Sequence, residues 1–303
     1  MSTSSLNARV RNLVAALAAA GVLALVAGGG AAAASRSVSA LPSGATLPQD
    51  RPATLASHGL TPYSVLEPTR NWAGYVIHAD GNVGYVSGIW TVPTLNCQET
   101  PNAADGVWAG IGGDGNDTGA LLQTGVADNC TDGSQQDQAW WELVENGSMY
   151  PPYYFGMSVS PGDEMQASVY LDQSGQWVTR IDDLTTGISG WMTAGGTYGT
   201  EQDGSASYVR DGSSGEISYD GGSSVEWVVE GPGLIDTGQN FQPITDFGTV
   251  QFSDLRAGLQ SWSLNAGEAD QINCNNQVVA DPGTPDGDGF SVSYTEVTAV
   301  ASC

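Results

Sequence analysis

Turn residues constrain this chain more than any other feature. Beyond residue 70, short apolar runs are broken about every dozen positions by Gly, Asn, Asp, Ser or Pro, and no long stretch has helical periodicity. With 41 Gly among 303 residues, that punctuation specifies many short antiparallel strands, an all-β fold, and a sandwich within one unbroken domain. The expected strands include the runs Trp72 to Ile77, Val83 to Val92, Val107 to Ile111, Ala120 to Val126, Ala139 to Val144, Glu164 to Leu171, Trp177 to Leu184 and Ser224 to Glu230. Asp80-Gly81 is expected to turn a hairpin between the first two, and Ser174-Gly175 to separate a later pair.

Period-two alternation then assigns faces. Val225, Trp227 and Val229 share one face of their strand; Glu226, Val228 and Glu230 share the other. Trp140 lies with Glu142, and Gln123 points with Leu121. A polar side chain in an apolar strand needs hydrogen-bond partners or a wet cleft. Three strands thus offer acid, amide and indole groups to one groove.

Residues 1–35 carry Arg9 and Arg11, the apolar run Leu13 to Val26, and the small residues Ala31 to Ser35. This is the order of a secretory signal, and the run is short of the roughly 20 apolar residues that a spanning helix needs. Residues 36–69, rich in Ser, Ala, Leu and Pro, have no strand pattern and read as a pro-segment. The expectation is a secreted, extracellular, monomeric protein whose working domain is residues 70–303.

Cys97, Cys130, Cys274 and Cys303 are an even set in an exported chain, which specifies two disulfides. Pairing Cys97 with Cys130 and Cys274 with Cys303 is expected, although the sequence does not choose among the three connectivities. None of the four has the close spacing of a zinc site, so no metal is expected.

The formal net charge is −25, and from residue 70 onward the only basic residues are Arg70, Arg180, Arg210 and Arg256. Nucleic acid and anionic membranes are poor partners for such a surface. Protonation would relieve its self-repulsion, so the folded domain is expected to belong in acid; solubility alone also accounts for the charge.

Acid narrows the chemistry. His58 lies in the expected pro-segment and His78 beside the expected turn, and an imidazole is protonated in acid, so a serine triad is unsupported. Asp117-Thr118-Gly119 and Asp236-Thr237-Gly238 offer the paired aspartates of a pepsin-like enzyme, but the triplets are also ordinary turn chemistry. Glu142 and Glu230 would suit a glycosidase, and the Trp-lined groove a glycan-binding module.

An ordered set of motifs then resembles one family. Asn71-Trp72-Ala73-Gly74, Val107-Trp108-Ala109-Gly110-Ile111, Leu121-Leu122-Gln123-Thr124-Gly125, Ala139-Trp140-Trp141-Glu142, Pro161-Gly162-Asp163, Asp183-Leu184-Thr185-Thr186-Gly187 and Val225-Glu226-Trp227-Val228-Val229-Glu230 follow the order seen in the glutamic peptidases, or eqolisins. The resemblance implies a concanavalin-like sandwich of two curved antiparallel sheets with the active site on the concave face. It implies that Gln123 and Glu230 are catalytic, and that Trp108, Trp140, Glu142, Asp114 and Glu226 bind substrate. Polypeptide substrates and no cofactor follow from it.

Two departures stand out. Gly110-Ile111-Gly112-Gly113-Asp114 has one aspartate fewer than the type member, and Leu143 and Val144 replace aromatic residues. In the implied chemistry, Glu230 as carboxylate takes a proton from a bound water and later returns it to the leaving amine. Gln123 orients the water and donates to the oxyanion. An amide does not titrate, so that donor survives low pH.

Overall fold

The computed structural model describes residues 66–69, 71–114, 120–145, 148–149, 152–194, 197–202, 205–210, 219–231, 243–259, 262–274 and 277–296. The expected signal peptide, most of the expected pro-segment, both Asp-Thr-Gly triplets and Cys303 lie outside these residues. Among the described residues there is no α-helix, only strands and a single-turn 3-10 helix at Leu264–Ala266.

The strands are β1 (Leu66–Thr69), β2 (Trp72–Val83), β3 (Tyr85–Thr91), β4 (Ala104–Gly112), β5 (Leu121–Thr131), β6 (Ser134–Glu145), β7 (Ser148–Met149), β8 (Tyr153–Ser158) and β9 (Glu164–Leu171). They continue with β10 (Trp177–Asp183), β11 (Ile188–Thr193), β12 (Thr197–Gln202), β13 (Ser205–Arg210), β14 (Gly222–Glu230), β15 (Thr249–Ala257), β16 (Glu268–Cys274), β17 (Gln277–Pro282) and β18 (Phe290–Tyr294).

The first sheet runs β8, β6, β5, β4, β14, β2, β16, β17, β18, β15. The second runs β15, β3, β9, β10, β11, β12, β13. One strand joins both: Thr249 to Phe252 pair with β18, and Ser253 to Ala257 pair with β3. Just past the switch, between Ser253 and Arg256, lies a bulge with Asp254 at φ 46°, which bends the strand as it enters the second sheet. β1 is the exception to the antiparallel pattern; it runs parallel to β16, Leu66 opposite Ala269 and Thr69 opposite Ile272. Residues 66–69, grouped by the sequence with the pro-segment, are therefore a strand of this sheet.

The core fills the space between the sheets. Trp90, Trp227, Phe252, Met165, Ile181 and Met192 are fully buried there, each worth about 1.5–3 kcal/mol in removal from water. Trp227 donates from Nε1 to the Ser87 carbonyl at 2.8 Å, linking β14 of one sheet to β3 of the other. The expected alternation holds: Val225, Trp227 and Val229 enter this core, whereas Val228 packs on the outer face with Trp108, Leu121 and Trp140.

The hairpin expected at Asp80-Gly81 does not form. The dipeptide falls instead in a bulge of β2, since β14 pairs Ser224 with His78 and Gly222 with Val83 and leaves residues 79–82 between them without a partner strand residue. β3 pairs instead with β9 and β15 in the second sheet, so the chain changes sheets at Gly84. The Ser174-Gly175 turn is present, with Asp172 accepting from the Ser174 and Gln176 amides at 2.8 Å. Cys97 and Cys130 are disulfide-bonded, tying the segment after β3 to β5; the Cys274–Cys303 pairing falls outside the described residues.

Candidate active site

Five neighbouring strands of the first sheet build the outer face. Cross-strand register places Glu226 opposite Gly110, Gly110 opposite Gln123, and Gln123 opposite Glu142. One step along, Val228 stands opposite Trp108, Trp108 opposite Gly125, and Gly125 opposite Trp140. Glu230 follows, opposite Trp72 on β2 and Gly106 on β4. Residues directly opposite share a face, so Gln123, Glu142, Glu226, Glu230, Trp108 and Trp140 all project outward from one sheet.

Two glycines make room for them. A Cβ at Gly110 would stand 2.9 Å from Leu121 Cδ1 and 3.2 Å from Gln123 Cβ. One at Gly125 would stand 2.1 Å from the Val107 carbonyl and 2.6 Å from Trp108 Cβ. Without them neither Gln123 nor Trp108 could lie as flat on its neighbour.

Glu230 is held by donors on both oxygens. Asn71 Nδ2 donates to Oε1 at 2.7 Å and Trp108 Nε1 to Oε2 at 2.9 Å, while the Trp72 ring meets the Trp108 ring edge-on at 5.1 Å. Burial pushes the Glu230 pKa up; Trp72, Trp108 and Asn71 pull it back without cancelling the rise. The donors therefore moderate the protonation of Glu230 in acid instead of preventing it.

Gln123, 3% exposed, donates from Nε2 to Glu142 Oε2 at 2.9 Å. The pKa of Glu142 is pushed up to about 7 by burial first and by the negative charge of Glu230 second, against the Gln123 hydrogen bond. The two carboxyls thus lie within one another's field. Gln123 Oε1, Glu142 Oε1 and Trp140 Nε1 are buried with no partner among the described residues. Each such group costs about 1–3 kcal/mol, a burden expected where a fold holds polar groups ready for a ligand. Trp72, Tyr154 and Val144 complete the apolar wall.

Asp114 lies elsewhere on this face. Its carboxylate accepts from His78 Nε2 at 2.9 Å, and Glu268 stands 3.5 Å from the same nitrogen. The three side chains bring one ligand atom each within 4.8 Å of one another, close enough to hold a metal ion, and all are partly exposed. No described contact joins Asp114 to Gln123, Glu142 or Glu230. Glu226, fully buried, occupies the same cross-strand row as Gln123.

The sequence reading missed Asn71 and Tyr154. Asn71 sits in the first motif, but its role depends on the pairing of β2 with β14, 159 residues away. Tyr154 comes from β8, whose position beside β6 follows a register shift that no local signal marks.

The profile of the peptidase A4 family matches residues 70–294. No curated protein sequence matches the chain significantly. Among solved structures, scytalido-glutamic peptidase with a transition state analog inhibitor is similar at 25% identity and a TM-score of 0.55, covering 75% of this chain and 98% of that one. SCP-B, a member of the eqolisin family in complex with the tripeptide Ala-Ile-His, shares the fold at 23% identity and a TM-score of 0.51, with the same coverage. With most of its length matched by that profile and the sandwich shared with solved eqolisins, this chain belongs to the peptidase A4 family, the glutamic peptidases.

Proposed function

We propose that the chain is a secreted endopeptidase that works in acid, with Gln123 and Glu230 as its catalytic pair. One observation carries the assignment: a carboxamide and a carboxylate, each held by its own donor or acceptor, project from one sheet face in a chain of this family. Export on the signal of residues 1–35, release from the pro-segment and action as a monomer without cofactor complete the reading.

The groups suit amide hydrolysis. Asn71 donates to one Glu230 oxygen and Trp108 to the other, with Trp72 close by, and a carboxylate with about four acceptor sites keeps one for a water. In its ionised form Glu230 takes a proton from that water as it attacks the scissile carbonyl, and returns it to the departing amine. Gln123 Nε2 carries two hydrogens; Glu142 takes one, and the other is left for the oxyanion. Trp72, Trp108, Trp140 and Leu121 form an apolar wall that would exclude water and receive apolar substrate side chains. Asp114 and Glu226 would contact substrate further along the face.

Glu230→Gln and Gln123→Ala are the test, assayed on a synthetic peptide in acid beside circular dichroism. Each should lower kcat by about 10²-fold or more, the usual effect of losing a base or an oxyanion donor, with the spectrum unchanged. Near-normal turnover by either purified variant would overturn the pair. Pepstatin, which mimics an intermediate bound by paired aspartates, should leave the wild type active.

A further inference from the structure

We infer that Asn71 is a positioning residue that orients the Glu230 carboxylate and favours its ionised form; this rests on Glu230 being the base. Asn71 sits at a corner pinned on both sides. The Thr69 hydroxyl donates to the Trp72 carbonyl at 2.5 Å and accepts from the Trp72 amide at 3.0 Å. The Asn71 carbonyl accepts from the Gly231 amide at 2.8 Å. β1 anchors the corner through its pairing with β16. The Asn71 amide donor thus reaches Glu230 from a backbone fixed beside both neighbours of that carboxylate. A donor to an anion favours the charged form, and its loss should move the acid limb of kcat/KM upward by about one pH unit.

Full pH profiles of Asn71→Ala and Asn71→Ser, beside Glu230→Gln, decide it. Expected are an upward-shifted acid limb in Asn71→Ala, a smaller shift in Asn71→Ser, which keeps a short donor, and little change in KM. An unmoved limb with Glu230→Gln inactive would overturn the role of Asn71 alone. Activity in Glu230→Gln would overturn the catalytic reading beneath it.

A separate observation lies on the inner face of the same sheet and does not depend on the catalytic reading. Register places Asp105 of β4 opposite Asp128 of β5, and Asp128 opposite Asp137 of β6. Asp105 is 5% exposed and Asp128 fully buried. No described hydrogen bond of ordinary geometry reaches the oxygens of that pair; the buried Thr245 hydroxyl is the donor set against Asp105, and Asp128 faces the Asp137 carboxyl. Gln135 gives the row its hydrogen bonds, from Nε2 to the two Asp137 oxygens at 3.0 and 3.2 Å. That same nitrogen donates to the Pro93 carbonyl at 2.8 Å, and Gln135 Oε1 accepts from the Leu95 amide at 2.8 Å. The other titratable neighbours are acids too: Asp163 faces Asp137, and Asp183 faces Asp163.

The geometry points to a proton-sharing row that keeps β4, β5 and β6 closed over the core in acid and loosens them near neutral pH. Buried carboxylates side by side without cations cannot all ionise, so each holds a proton until the pH rises. Burial lifts Asp105 well above the ordinary range, against the Thr245 hydroxyl and with repulsion from Asp137; burial and then repulsion from Asp105 and Asp137 lift Asp128. Folding therefore takes up protons: the stabilisation is complete below the unfolded carboxylate pKa and is lost as pH climbs through the folded values.

Melting temperatures of wild type, Asp128→Asn and Asp105→Asn from acid to neutral pH provide the test. The wild type should melt lower as pH rises, and at least one isosteric amide should flatten that slope and raise the neutral melting temperature by several degrees. Identical slopes in all three proteins would overturn the inference. A neutral melting temperature restored by added calcium in the wild type, but not in the variants, would also overturn it, assigning the row to a cation.

Discussion

On the outer face of β5 and β6, Gln123 stands opposite Glu142; on the inner face of the same strands, Asp128 stands opposite Asp137. The outer acids sit among donors, with Asn71 and Trp108 on Glu230 and Gln123 on Glu142. The inner acids Asp105 and Asp128 have mainly one another and Asp137 for neighbours, with the Thr245 hydroxyl the donor against Asp105. Burial alone therefore does not decide what a carboxyl can do here. Several donors keep a buried acid near the pH at which it can exchange a proton, and a row of acids with too few of them stays protonated and structural.

The sharpest way to break this contrast is to swap readouts between the faces. Glu230→Gln should lose about 10²-fold or more in kcat with little change in melting temperature, whereas Asp128→Asn should shift melting and spare acid turnover. An effect of both variants on both readouts would erase the distinction. Next in size is Trp108→Phe, which keeps the ring against Trp72 but removes the donor to Glu230 Oε2. It should cost about tenfold in kcat/KM at the acid end and less above it, since a hydrogen bond to a charged group is worth about 1.5–3 kcal/mol; a loss uniform with pH would place Trp108 in the wall alone.

The smallest effect sharpens the outer face itself. Burial and the charge of Glu230 push the Glu142 carboxyl up to about 7, so above that pH a second negative charge confronts Glu230. Activity should fall as pH rises through 7, and Glu142→Gln should extend it a few-fold at neutral pH. The linked stability has the same sign: a folded pKa raised above the ordinary carboxylate value means stabilisation lost between about 4.5 and 7. An unchanged neutral limb in Glu142→Gln would remove Glu142 from the titration.

Much of this was legible in the sequence because alternation is a local signal. The inward set Val225, Trp227 and Val229, and the outward companions Trp140 with Glu142 and Gln123 with Leu121, follow from period two alone. Register between distant strands is not local. Nothing local joins Asp105, Asp128 and Asp137 until three strands are aligned, and Asn71 acquires a role only when β2 meets β14. Asp80-Gly81 misled because the dipeptide bulges out of one strand, between the paired residues His78 and Val83, and does not join two paired strands. Asp114 joined the expected cleft by motif, but its side chain turns to His78 and Glu268.

The strand shared by both sheets makes this sandwich a bound book. β15 is the spine, and the far margin is where β8 rests on β11 and β12. Pages bound at one side can part only at the other, and β6 and β5, with two of the three inner aspartates, lie next to that margin. Neutral pH should therefore unbind the molecule from its fore-edge, with the amides of β6 and β8 exchanging with solvent while those of β15 and β18 still hold.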